Sequence, residues 1–387
     1  MSIEQKTWDL RVDRSQPGRA HIVSVPDAGA LASGQVRLAI ERLALTANTV
    51  TYAVCGDAPG LKYWQFFPAP EGTGRVPAWG FARVVASTVP EIGQGERFYG
   101  FWPIGTHVVV QPVALGARGF VDGALHRAER ARIYNTYLRV RPAPADATPA
   151  EVAAIEAWQM LMNPLFTTAF LIDDFLAEGD AFGAPRVLLS SASSKTAVAT
   201  AWMLAQRRAT AASREVIGLT SPANRASVDA LNCYDQVIPY ADLTLLDPAV
   251  PTVYVDFAGD AGLRHALHHH LGDALRHDCA VGLTHWEALA ARDPAGRPSE
   301  PLPGPRPVMF FAPGRWAQRE ADWGVRELEQ RLALARDGFA RALGEHRKWL
   351  AVVESAGPEA VLQAWEAAVA GRTPAGEGRV LVCADSP

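Results

Sequence analysis

The stretch from residue 186 to residue 312 constrains the fold more than any other. Short runs of Val, Ile and Leu alternate there with segments of helical spacing. RVLLS (186–190), EVIGLT (215–220), QVIPY (236–240), TVYVDFA (252–258), CAVGLT (279–284) and PVMFFA (307–312) read as strands. SKTAVATAWMLAQRR (194–208), SPANRASVDAL (221–231) and GLRHALHHHLGD (262–273) read as the helices between them. Strands that are apolar throughout are buried on both faces, and helical crossovers make their neighbours parallel. The expectation is an α/β fold with a Rossmann-type doubly wound parallel sheet. The segment DPAGRPSEPLPGPRP (293–307) is too rich in proline for either element and reads as a surface loop.

Before residue 150 the pattern changes. QVRLAIERLAL (35–45), WGFARVVAS (79–87), GTHVVVQP (105–112) and YLRVRP (137–142) are short apolar runs broken by Gly and Pro, as in an all-β unit. PAPADATPAE (142–151) is a joint. Thr148, Pro149 and Glu151 there have the spacing of a capped helix start. One helix is expected through EVAAIEAWQML and a second through PLFTTAFLIDDFLAEG. Beyond residue 320 come two helical stretches and GRVLVCAD (378–385), a strand able to return to the β-rich part. A chain of 387 residues is long enough for two domains.

Several function classes are excluded. The formal charge of −4 gives no bulk attraction for nucleic acid. No apolar run approaches the roughly 20 residues that span a bilayer, and MSIEQKTWDLRVDRS is too polar for a signal peptide. Cys55, Cys233, Cys279 and Cys383 are scattered and read as reduced thiols of a cytoplasmic protein. No G-x-S-x-G supports a hydrolase. His265 and His269 share a helix face but lack a carboxylate to complete a metal site; His268 and His270 join them in reading as a solvated face.

The turn after the first strand of the alternating region is the principal candidate site. Ser190, Ser191, Ala192, Ser193, Ser194, Lys195 and Thr196 are small residues followed by a lysine and a threonine. The Lys-Thr ending is that of a nucleotide-hydrolase phosphate loop, but the glycines that bend such a loop are absent, so a phosphotransferase is the weakest reading. A dinucleotide turn needs only small residues, so that the backbone and the helix N-terminus approach a pyrophosphate. A plain serine-capped helix is the alternative. After the second strand come Thr220, Ser221 and Arg225 with no carboxylate. A carboxylate there would hold the ribose hydroxyl of NAD, whereas hydroxyls and an arginine suit the 2′-phosphate of NADP(H).

In the order of its motifs the chain resembles the medium-chain dehydrogenase/reductase superfamily, in its zinc-free quinone-reductase and enoyl-reductase branch and a bacterial subfamily of it. VLLSSASSKTAVATAWMLAQ, VIGLTSPANRASVDALNCYDQVIPY and TVYVDFAGD are similar to that family's nucleotide-binding strands and turns. RLALTANTVTYAVCGD and PAWGFARVVAS are similar to its active-site segments, and GPEAVLQAWEAAVAGRTPAGEGRVLV to its closing helix and strand. The resemblance implies a chaperonin-10-like (GroES-like) β-barrel domain from residues 1–155 and 313–387, with a Rossmann dinucleotide domain, 156–312, inserted. It implies a substrate cleft between the two and a homodimer joined through the sheet edge at PVMFFA. Asn48-Thr49 and Trp79-Gly80-Phe81 stand where the family's zinc ligands would be, so no metal is expected.

Without a metal, reduction of a carbon–carbon double bond conjugated to a carbonyl is the accessible chemistry. The cofactor supplies the hydride, and the protein supplies hydrogen-bond donors for the charge that develops on oxygen. Tyr52 is the candidate donor and Asn48 an orienting amide; packing of Tyr52 as an ordinary core aromatic is the alternative. Phe257, Ala258 and Gly259 follow the fourth strand and would meet the cofactor through their backbone, and Phe310 and Phe311 would wall the nicotinamide. Tyr63, Trp64, Gln65, Phe66 and Phe67 line a substrate channel or fill a core. The expected substrate is a small apolar molecule bearing an enone, a quinone or an enoyl thioester. A redox-inactive NADPH-binding sensor is the rival reading.

Overall fold

The computed structural model describes residues 7–26, 29–208, 213–281, 301–344 and 349–384. The chain folds as two compact units, one from residues 1–161 and 351–387, the other from 162–350.

The first unit is built on antiparallel strands. β1 (Trp8–Asp13) pairs with β2 (Ala20–Ser24) and with the two-residue β4 (Thr73–Gly74). β3 (Val36–Leu45) is central to a second, nine-stranded sheet. It pairs with β5 (Pro77–Ser87) and with β7 (His107–Val110). Beyond β5 lie β6 (Arg97–Pro103), β10 (Thr136–Arg139), β9 (Gly119–Asp122) and β8 (Pro112–Gly116). Every second residue of β3 from Val36 to Ile40 is buried, the period of a sheet with one face in a core. Gly80 lets β5 close on β3, because a Cβ there would lie 2.0 Å from the Arg42 carbonyl oxygen. A helix α1 (Ala47–Val54) follows β3, and a one-turn helix α2 (Arg132–Asn135) precedes β10.

The helix α3 (Pro149–Glu178) begins as expected. The Thr148 amide donates to Glu151 Oε2 at 2.8 Å and the Glu151 amide to Thr148 Oγ1 at 3.3 Å. The expected break at Pro164 is not there, and one helix replaces two. Proline removes one backbone donor, but burial of Met160, Leu161, Leu165 and Phe166 on either side outweighs that loss. By length and composition α3 passes for a membrane span, which corrects the reading from apolar runs alone; 61% of its most apolar window is buried, as in a core helix.

The second unit holds the parallel sheet. β11 (Arg186–Leu189), β12 (Glu215–Thr220), β13 (Gln236–Pro239), β14 (Thr252–Asp256), β15 (Leu275–Ala280) and β16 (Val308–Met309) lie in the order β13-β12-β11-β14-β15-β16. β11 and β14 are buried at every position. The crossovers are α4 (Lys195–Ala205), the short α5 (Arg225–Asp229) after a 3₁₀ turn at Pro222–Asn224, and α6 (Ala261–Leu271). β15 starts four residues earlier than the apolar run at 279, and residues 282–284 lie outside those described. His277 and Asp278 disguise it in the sequence, yet Asp278 is fully buried because it meets His268 Nε2 at 2.9 Å. The strand expected at 307–312 shrinks to Val308–Met309, because Pro313 suits the first turn of a helix, and α7 (Ala312–Trp323) begins there.

α7 and α8 (Val325–Gly344) belong to this second unit, which therefore extends past residue 312. Phe339 of α8 packs on Phe166 and Trp202, and Arg315 and Arg319 both reach Asp174 at 2.7 Å. The last elements return to the first unit. β17 (Ala351–Ala356) runs parallel to β18 (Glu377–Val382) across α9 (Pro358–Val369), and β18 pairs antiparallel with β3.

Candidate functional site

The strand order of the parallel sheet reverses between β11 and β14, since each is followed by a crossover to the opposite side. In doubly wound sheets that reversal opens a crevice at the carboxyl ends of the strands. Ser190–Thr196 leaves the end of β11 there, and Phe257–Gly259 leaves the end of β14.

Ser190 is fully buried. Its hydroxyl donates to Asp256 Oδ1 at 2.9 Å and accepts the amides of Phe257 and Ala258 at 2.9 and 3.0 Å. It joins the two strand ends and presents no surface to a ligand in this arrangement. Asp256 is likewise buried, and its Oδ1 also accepts from Tyr254 OH and from the Gly259 amide, both at 2.9 Å. Gly259 has φ of 63°, a conformation that suits a residue without Cβ. Arg264 binds Asp256 Oδ2, and its Nε lies 3.7 Å from Asp278. His268 completes the row, with Nδ1 2.7 Å from the Pro303 carbonyl oxygen. It is therefore a buried structural group, unlike the exposed, stacked His265 and His269, and His270 lies part-buried 2.8 Å from the Leu246 carbonyl oxygen.

Ser191 adopts a left-handed φ of 49° where a dinucleotide turn would carry glycine. Its amide donates to Tyr240 OH at 3.0 Å, and the amide of the buried Ala192 to the Leu219 carbonyl at 3.0 Å. Gly218 makes room for this bend, because a Cβ there would lie 2.8 Å from that of Ala192. Ser193 Oγ accepts Asn224 Nδ2 at 3.2 Å, and Ser194 caps α4 by accepting the Ala197 amide at 3.3 Å. Ser193, Ser194, Lys195 and Thr196 remain partly exposed at the helix mouth. Hydroxyl protons of the serines and of Thr196, with first-turn amides of α4, are donors of the kind that hold a pyrophosphate.

Thr220 is buried at the end of β12. Ser221 opens the 3₁₀ turn, and Arg225 is half-exposed with its Nε 3.8 Å from Asp229. So loose an exposed pair leaves the guanidinium available to a stronger anion. The amide of Phe310 reaches the Ala280 carbonyl at the end of β15, while Phe311 precedes α7 and is 37% exposed. The residues present thus fit a phosphorylated dinucleotide, at the mouth of α4 and at Arg225. Tyr240, Asn224 and the inward turn of Ser190 had no signal in the sequence, since their contacts span 31 to 68 positions.

In the first unit, α1 sets Asn48 and Tyr52 one turn apart on the same face. Asn48 Nδ2 donates to Tyr52 OH at 2.7 Å, and Trp79 Nε1, from β5, donates to the same oxygen at 3.3 Å. The Tyr52 ring packs on Tyr63, Phe101 and Tyr134, with centroids 4.6, 5.0 and 6.2 Å away. Burial pushes the Tyr52 phenol well above its ordinary range, and the neighbouring Tyr134 hydroxyl pushes it further. Tyr134 OH lies 3.2 Å from Tyr63 OH. Asn48, Trp79 and Tyr134 are partly exposed, whereas Tyr52 is 3% exposed. The segment Tyr63–Phe67 contributes Tyr63 and Phe66 to this aromatic cluster. Trp79 and Tyr134 are partners of Tyr52 that sequence spacing could not identify. Among the described residues, no group of three or more His, Cys, Asp or Glu side chains could hold a metal ion.

Residues 43–374 match the family described as Protein of unknown function (DUF2855). No curated protein matches the chain. Among solved structures, the chain is similar to CurA in complex with NADPH from Vibrio vulnificus, at 11% identity and a TM-score of 0.57, covering 95% of each chain. It is also similar to a mutant enoyl thioester reductase from Candida tropicalis, at 11% identity and a TM-score of 0.52, covering 97% of this chain and 99% of that one. A mutant Etr1p in complex with NADP and crotonyl-CoA matches at 10% identity, a TM-score of 0.52 and the same coverage. These likenesses establish a shared fold, that of the medium-chain dehydrogenases/reductases.

Proposed function

The chain belongs to the DUF2855 family and has the medium-chain dehydrogenase/reductase fold, and from that premise we propose that it is a zinc-independent, NADPH-dependent oxidoreductase that reduces an activated carbon–carbon double bond. The observation that carries the proposal is the serine-rich bend at the reversal point of the sheet, with donors at the mouth of α4 and Arg225 beyond β12. Ser193, Ser194, Lys195 and Thr196 hold the pyrophosphate, and Ser221 with Arg225 meets the 2′-phosphate. The backbone of Phe257 to Gly259, fixed by Ser190 and Asp256, borders the nicotinamide end. When bound, NADPH supplies a hydride to the carbon β to a carbonyl.

Tyr52 answers the charge that then develops on the carbonyl oxygen. Burial keeps it a neutral phenol, and so a proton donor. Asn48 and Trp79 both donate to its oxygen, which fixes its direction and strengthens it as a donor. A substrate oxygen reaches this donor from the partly exposed side formed by Asn48, Trp79 and Tyr134. A proton from water at the α carbon completes the reduction. Enones, quinones and enoyl thioesters meet these requirements.

The test is loss of NADPH absorbance with a panel of enones, quinones and enoyl thioesters. Product formation with at least one class is expected. Saturable NADPH binding without oxidation across the panel would leave the sensor reading, which the deep burial of Tyr52 favours. We also propose a homodimer joined through the β16 edge, where Val308 and Met309 are about half exposed, and a cytoplasmic location suited to four reduced thiols.

A further inference from the structure

The first unit contains a cavity of about 620 Å³ beside the 63–67 segment, lined in part by Arg14, Trp64, Leu125, His126, Glu129 and Arg130. That volume is within the range of small-molecule sites. Its walls combine features that a plain surface cleft does not need. The Arg130 side chain is only 6% exposed, and among the described residues its Nε has no hydrogen-bond partner. A buried guanidinium donor without an acceptor is costly, on the order of 1–3 kcal/mol, and such groups in native folds point to a missing partner. Among the described residues the one carboxylate at Arg130 is that of Glu129, at 3.2 Å from Nη2, and the Glu129 side chain is 87% exposed.

Arg14 is the second cation of the cavity. Its Nε donates to the Thr73 carbonyl at 2.8 Å, its guanidinium lies over the Trp64 ring at 6.0 Å, and Asp57 stands 3.9 Å from Nη1. Leu125 is 89% exposed. It lies in the turn that also carries the fully anchored Arg127, so its position is imposed rather than loose. An apolar side chain held out at a cavity rim offers contact to an apolar ligand body.

We propose that this cavity binds a small carboxylate with an apolar body, the carboxylate taken by the Arg130 guanidinium in place of Glu129 and the body lying against Leu125 at the rim. Charge selects the ligand class. Arg14 has Asp57 nearby, and burial with the adjacent Arg127 holds His126 below its ordinary range, hence neutral at pH 7. With Glu129 turned out to solvent, one cation remains unmatched, which suits a monoanion better than a phosphate dianion. A planar guanidinium fork receives a carboxylate through two parallel hydrogen bonds. The site is independent of the reductase reading, because none of its residues belongs to the Tyr52 cluster or the α4 bend.

The test is calorimetric titration of the full chain with benzoate, acetate and phenyl phosphate. Saturable benzoate binding is expected, with acetate and phenyl phosphate each weaker by about tenfold, the loss of one good contact. Glu129→Gln removes the internal competitor and tightens benzoate several-fold. Arg130→Gln weakens it by about tenfold or more, as loss of a charged hydrogen-bond pair requires. Leu125→Asp, at an exposed position that the fold tolerates, weakens it as well. Absence of saturable binding to both the wild-type chain and Glu129→Gln overturns the proposal. So does benzoate binding undiminished by Arg130→Gln and Leu125→Asp, and tighter binding of phenyl phosphate overturns the choice of a carboxylate.

Discussion

Ser190 separates two roles that a serine in such a bend can have. If it held phosphate, Ser190→Ala would weaken the cofactor and leave the unliganded fold intact. The geometry assigns it instead to the fold, with one bond to the buried Asp256 carboxylate and two from the Phe257 and Ala258 amides. Hydrogen bonds to a charged group contribute about 1.5–3 kcal/mol, and a buried amide left unpaired costs about 1–3 kcal/mol. Not all of this is lost in the variant. Asp256 Oδ1 keeps Tyr254 and Gly259, and the Ala258 amide keeps Asp256 at 3.1 Å, whereas the Phe257 amide loses its hydroxyl partner. The net destabilisation of the β14 end is then about 2–4 kcal/mol. Hydrogen exchange of a peptide spanning residues 253–262, followed by mass spectrometry without cofactor, reads this directly. At about 1.4 kcal/mol per factor of ten, the Phe257 amide should exchange about 30- to 1,000-fold faster in the variant. Ser193→Ala, whose oxygen meets a part-buried Asn224, should leave that peptide unchanged. Unaltered exchange in Ser190→Ala would refute the clamp and return Ser190 to the ligand side of the bend.

Three further outcomes follow from the tyrosines and thiols. Tyr52→Phe removes the hydroxyl that accepts from Asn48 and Trp79; turnover on a genuine substrate should fall by about 100-fold or more with NADPH affinity unchanged, and undiminished turnover would dismiss the catalytic role. Burial raises Tyr52, Tyr63 and Tyr134, and pushes Tyr137 up to about 12, against an ordinary value of 10. A raised folded-state pKa gives stability that is whole below pH 10 and is lost as pH rises through the folded value. The buried thiols begin this loss near pH 9, so melting temperature should fall most steeply above about pH 10, and a fall as steep between pH 8 and 9 as above pH 10 would contradict the burial of these phenols. Burial also raises Cys55 to about 11 and Cys233 and Cys383 to about 12, so at pH 8 these thiols should react with a thiol reagent far more slowly than an exposed cysteine; labelling of any of the three at the rate of an exposed thiol would refute that.

The sheet was readable because β11, β12 and β14 are apolar runs bounded by turn residues, a pattern that burial on both faces imposes. The start of α3 was readable because Thr148, Pro149 and Glu151 act through contacts three residues apart. Signals failed where distant residues decide. β15 hides behind His277 and Asp278; the buried Asp278 is tolerated because His268 and Arg264 come from α6, and the part-buried His277 stacks on Phe182. Pro164 reads as a break, yet packing on both sides carries the helix through it. At the site, Asn48 and Tyr52 were legible as a donor with an orienting amide four residues away, but Trp79 comes from β5 and Tyr134 from α2, 27 residues away and further. The orientation of the Ser190 hydroxyl depends on Asp256, 66 positions away.

The proposed function requires the bend before α4 to accept a phosphorylated dinucleotide. Fluorescence titration of the chain with NADPH and with NADH measures this directly. Saturable NADPH binding, at least about tenfold tighter than NADH and reduced to the NADH level by Arg225→Glu, is the predicted result, since one lost phosphate–guanidinium contact corresponds to about that factor. No saturable binding of either nucleotide, or NADH binding as tightly as NADPH, would contradict it.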